Sequence, residues 1–73
     1  MAATIDTSWA YNRVIVVTDK GDVQSTTIAG YASERLGDQL FNAAKNDVGT
    51  MFVTHLVGDG QRDWDPRATW SRD

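Results

Sequence analysis

The sequence predicts an α+β fold, a small two-layer ββαβ domain with a three-stranded, mostly antiparallel sheet of order 2-1-3 packed on one helix and followed by an aromatic C-terminal tail. Three observations predict it. The run Arg13-Val14-Ile15-Val16-Val17-Thr18 sets four β-branched apolar residues in a row, and side chains of a strand alternate between faces, so this strand is apolar on both sides. From Ser33 to about Asp47 the apolar period lengthens from two to nearly four. Thr50 to Val57 then returns to a strand pattern, again apolar on both parities.

The elements follow in order. Residues Met1 to Ser8 are small and polar apart from Ile5 and read as a loose lead-in or a short edge strand. In the first strand Trp9, Tyr11, Arg13, Ile15 and Val17 share one face, and Ala10, Asn12, Val14, Val16 and Thr18 the other. Thr18-Asp19-Lys20-Gly21-Asp22 is a hairpin turn, with Gly21 able to take the positive φ that closes it. The return strand, Val23 to Tyr31, is rich in Ser and Thr and reads as the sheet edge.

The helix expected next turns Leu36, Leu40, Ala43 and Ala44 to one side, with Phe41 flanking them. Ser33 stands at the N-cap and Glu34 in the first turn. Gly37 costs about 1 kcal/mol relative to Ala inside a helix, which reads either as room for close approach to the sheet or as a weak spot, with close approach preferred. The third strand ends at Gly58-Asp59-Gly60, and the tail over residues 59–73 carries Asp65-Pro66, an N-cap and first-turn pair that predicts a short helical turn. Residues 1–73 form one domain, with no repeat and no linker.

A right-handed crossover through the helix makes the third strand parallel to the second and places it beside the first, which gives the order 2-1-3. One helix covers one face. The other face calls for either the tail, folding Trp64 and Trp70 over it, or a second protein surface, with a homodimer as one form of the latter.

Composition narrows the function. Ten acidic against seven basic residues give a net charge of −3 with the signs scattered, so no basic surface favours direct nucleic-acid binding. The absence of cysteine removes disulfides and thiolate zinc sites, and no stretch resembles a signal peptide or membrane span, so a soluble cytoplasmic protein is expected. His55, the only histidine, could act as a base with Asp59 and Tyr31 at a dimer seam, although a lone histidine in a strand is usually structural. Asp59, Asp63 and Asp65 miss the calcium-loop spacing, and the glycines miss the phosphate-loop spacing. No catalytic residue, metal ligand or cofactor is therefore assigned.

The remaining signal is surplus aromatic surface. Trp9, Tyr11, Trp64, Arg67 and Trp70 are candidate partner-binding residues, since Trp, Tyr and Arg dominate interface hot spots. The expected function is a non-catalytic protein-binding module; the alternatives are a small enzyme or enzyme subunit built around His55, and a nucleic-acid-binding sheet that stacks bases on Trp9 and Tyr11. In size, acidity and ββαβ order the chain resembles the small phage-encoded inhibitors, anti-CRISPR proteins among them. That resemblance implies a larger protein or nucleoprotein target, whose basic channel Asp19, Asp22, Glu34 and Asp38 would oppose.

Overall fold

The computed structural model describes residues 11–59 and 63–72. The lead-in over residues 1–8 and Trp9 lie outside the described residues. Five elements follow in the order β1 (Tyr11–Thr18), β2 (Val23–Ala29), α1 (Ser33–Lys45), β3 (Thr50–Gly58) and β4 (Trp64–Ser71). The sheet order is β2-β1-β3-β4, and every neighbouring pair is antiparallel. The expected 2-1-3 arrangement is present, with a fourth strand added beyond it.

That fourth strand corrects the reading of the tail. Asp65-Pro66 starts no helical turn; Pro66 pairs with Leu56 on the outer strand, where its missing N–H costs no ladder bond. His55 pairs with Ala68 and Leu56 with Pro66, so Arg67 is the extra residue of a β-bulge. The tail thus extends the sheet sideways instead of folding over it. Trp64 and Trp70 end on opposite faces, since Trp70 pairs with buried Val53 under the helix while Trp64 pairs with Gly58 on the other face.

The hairpin forms as expected. Gly21 has φ 88°, its N–H donates to Thr18 O at 3.0 Å, and Thr18 N–H donates to Asp22 O at 2.9 Å. The Thr18 hydroxyl also accepts from the Asp22 N–H at 3.1 Å, so this short turn is closed by side chain and backbone together.

The helix corrects two expectations. Ser33 is not its cap; Ala32 holds that position without a side-chain hydrogen bond, and Ser33 is buried against the sheet. The buried seam of α1 is Ser33 and Gly37, with Ala44 half-buried further along, whereas Leu36 and Leu40 remain 43% and 39% exposed. The helix is therefore rolled about its axis relative to the leucine face that its periodicity suggests. The cause lies beneath Gly37: a Cβ added there would come within 2.7 Å of His55 Cε1, so only glycine lets the helix settle onto that ring. Val14 and Val53, buried beneath α1, complete the small apolar core.

Candidate functional site

Two different surfaces flank α1. The flank toward β4 is polar and closed. His55 is 0% exposed, and its Nε2 lies 2.7 Å from Asn12 Oδ1. The Asn12 amide in turn donates to Ser33 Oγ at 2.8 Å, so strand β1, strand β3 and the helix start are joined by one buried chain of hydrogen bonds. Because Asn12 donates through Nδ2 to Ser33, its Oδ1 accepts, and His55 carries its proton on Nε2. Nδ1 then faces Asp38 Oδ1 at 3.3 Å without a hydrogen bond, a contact that becomes an ion pair only when the ring takes up a second proton.

Arg67, thrown out of the β4 ladder by the bulge, closes this flank. Its Nε and Nη2 donate to the two Asp38 oxygens at 3.0 and 3.1 Å, and Nη1 reaches Glu34 Oε2 at 2.6 Å. These hydrogen bonds hold the Asp38 carboxyl below its ordinary value and raise Arg67 above its own. Burial lowers the His55 pKa, and the neighbouring Asp38 only partly opposes that. At the other end of β4, Arg72 donates to the carbonyls of Asp47, Val48 and Thr50 at 3.3, 3.1 and 3.1 Å, tying down the loop after the helix.

Among the described residues the flank toward β2 is open. Between α1 and the β1–β2 hairpin lies a cavity of about 320 Å³, within the range of small-ligand and side-chain pockets. Val14, Val16, Leu40, Ala43 and Ala44 give it apolar walls, Gln24 and Thr26 floor its outer side, and Asp47 is its one charged lining residue. Leu36 stands half-exposed four residues before Leu40 on the helix. The same roll that seats Gly37 on His55 leaves these leucines uncovered, which is why periodicity alone did not find the groove.

The residues singled out in the sequence do not converge on a catalytic centre. His55 is enclosed beneath Gly37, Tyr31 is 84% exposed beyond the end of β2, and Asp59 follows β3 four residues after His55, roughly 13 Å along a strand. The aromatic candidates have intramolecular partners. The Arg13 guanidinium lies 4.5 Å from the Trp64 ring centre while its Nε donates to Thr27 Oγ1 at 2.9 Å, so one side chain ties β1 to β2 and to β4 across the face opposite the helix. Gly58 makes room first for the Asp63 carbonyl, which an added Cβ would overlap, and then for that ring, whose Cδ2 would lie 3.0 Å from it. Arg72 stacks on Trp70 at 5.4 Å, Arg67 serves Asp38 and Glu34, and Tyr11 is half-buried at the start of β1.

Among the described residues no group of three metal-ligating side chains is assembled, and no helix is long and apolar enough to cross a membrane. No protein-family model, curated protein or solved structure matches the chain.

Proposed function

We propose that the chain is a non-catalytic protein-binding module that engages its partner along the open flank of α1. The observation that carries this is the groove between α1 and the hairpin, walled by half-exposed Leu40 together with Val14, Val16, Ala43 and Ala44, with Leu36 half-exposed one turn before Leu40, and bordered by a strand without charge. Monomers seldom leave contiguous apolar surface beside an unprotected sheet edge unless another chain covers it. The polar residues suited to chemistry are instead used up internally, in the Ser33–Asn12–His55 chain and the Arg67 ion pairs. Two of the four acids expected to oppose a basic channel, Glu34 and Asp38, are paired with Arg67, which shifts the weight of the reading from an acidic face to the groove.

Quantitative affinity capture with tagged protein tests this. A partner retained by the wild-type chain and by Trp64→Ala, and lost from Leu40→Lys, supports docking in the groove. Capture lost from Trp64→Ala and kept by Leu40→Lys would move the site to the opposite face.

A further inference from the structure

We infer that the partner presents an extended segment that adds as a fifth strand to the outer edge of β2, sending large apolar side chains at alternate positions into the groove and placing a basic residue at the hairpin end. This rests on the groove being the docking surface and adds the chemistry of the occupant.

The backbone sets the first requirement. Thr18 N–H donates to Asp22 O, which fixes the hydrogen-bonded parity of the β1–β2 ladder. With Val17 opposite Val23, the residues bonded inward to β1 are Gln24, Thr26 and Ile28. Val23, Ser25, Thr27 and Ala29 therefore turn their N–H and C=O groups outward, and among the described residues no strand pairs with them. Such a row is satisfied in register only by another extended backbone.

The second requirement is the contrast with the other edge. β4 carries Asp65, Pro66, Arg67 and a bulge, the devices that keep an edge from pairing. β2, Val-Gln-Ser-Thr-Thr-Ile-Ala, carries no charge, proline or bulge. On its helix-facing side stand Gln24, Thr26 and Ile28, so an added strand would direct its own helix-facing side chains toward Leu36 and Leu40.

Charge fixes the polarity of the segment. Asp47 lines the groove where it meets the hairpin, and Asp19, whose N–H donates to Gly49 O at 2.8 Å, and Asp22 lie at that same end; of the cations there, Lys20 is in the turn, Lys45 is in the last helical turn with its ammonium over the Phe41 ring, and Arg72 is engaged with the Asp47 and Val48 carbonyls. An antiparallel segment ends there with its C-terminus, and a lysine or arginine at that position meets the acids.

A second copy of this chain fits less well. Joining β2 to β2 would satisfy the same backbone groups. However, α1 packs over β1 and β3, so the two helices would stand about 19 Å apart across the seam at 4.8 Å per strand, twice the 8–10 Å of packed helices. Both grooves would stay unfilled, leaving a seven-residue ladder against the roughly 20–30 residues a side of a standard interface.

The test uses a fluorescein-labelled nonapeptide of alternating leucine and threonine ending in two lysines, titrated by fluorescence anisotropy into the full chain, with a peptide carrying serine for leucine as control. The expected result is saturable binding by the wild-type chain, unchanged by Trp64→Ala and weakened at least tenfold by Leu40→Lys, by Leu36→Lys and by Ser25→Pro. Ser25→Pro removes an outward N–H and no bond to β1, and the two lysine variants alter residues that are already exposed, so folding survives in at least one arm. Absence of saturable binding, equal binding of the serine peptide, or binding indifferent to all three variants would overturn the inference. So would a concentration-dependent dimer in sedimentation that Ser25→Pro dissociates, since the edge would then belong to a second copy. Groove-dependent capture without peptide binding would retain the docking site and remove only the extended segment.

Discussion

The two flanks of α1 are built from opposite materials. Toward β4 the helix is held by ion pairs from Arg67 at its first half and by carbonyl bonds from Arg72 behind its last turn. Toward β2 it offers leucine and alanine above a strand of hydroxyl and amide side chains, and the turn into the helix is closed by Ser33 N–H donating to Gly30 O at 3.1 Å. The sheet edges differ in the same sense, one guarded by proline, charge and a bulge, the other without any of these and unpaired among the described residues. The difference teaches that helix roll, and not helix composition, decides which surface is spent on stability and which stays exposed. Gly37 over His55 sets that roll, and everything on the open side follows from it.

The comparison breaks most severely if the buried chain is cut. Asn12→Ala leaves His55 Nε2 and the Ser33 hydroxyl without their partner, and a loss of about 3 kcal/mol is expected in urea unfolding. Gly37→Ala comes next. The added methyl overlaps the His55 ring, and although alanine favours the helix by about 1 kcal/mol, overpacking of 1–3 kcal/mol or more outweighs it, for a net loss near 2 kcal/mol.

The closed flank should also carry the pH dependence. Burial holds folded-state His55 below its ordinary 6.5, so below about that pH the unfolded chain takes up a proton that the folded chain refuses. Stability is then fully present above pH 6.5 and falls as the pH drops toward the depressed value; Asp38, also lowered, adds a further loss at more acid pH. In His55→Gln the slope between pH 5 and 7 should vanish while the more acid one remains, as read from urea midpoints across pH. The smallest effect on stability belongs to the open flank. Leu36→Lys and Leu40→Lys should unfold within about 0.5 kcal/mol of wild type, because both side chains already reach solvent, while losing the proposed partner. A loss of several kcal/mol from either would mean that the groove is core.

Much of this fold was legible from residue pattern. The four β-branched residues of β1, the Gly21 turn, the helical period after Ser33 and the doubly apolar β3 were readable because local periodicity and turn chemistry point the same way. β4 was not, because Asp65-Pro66 satisfies the helix-start pattern as well as it suits an outer strand at a bulge; the alternating Ala68, Thr69 and Trp70 were the available counter-signal. Gly37 was readable as a point of close approach, but what it approaches was not, since His55 lies 18 positions on and meets it only after the crossover. The groove is least legible of all. Leu36 and Leu40 look like core residues in any helical projection, and only the seat of Gly37 on a histidine turns them outward.

The most direct test of the open flank is residue-resolved amide hydrogen exchange along β2, with and without the leucine–threonine peptide. In the free chain Gln24, Thr26 and Ile28 should be protected and Val23, Ser25, Thr27 and Ala29 should exchange quickly, and the peptide should slow the second set. Uniform protection along β2 in the free chain, or fast exchange at Ser25 and Thr27 with peptide bound, would contradict the assignment of this edge as the docking strand.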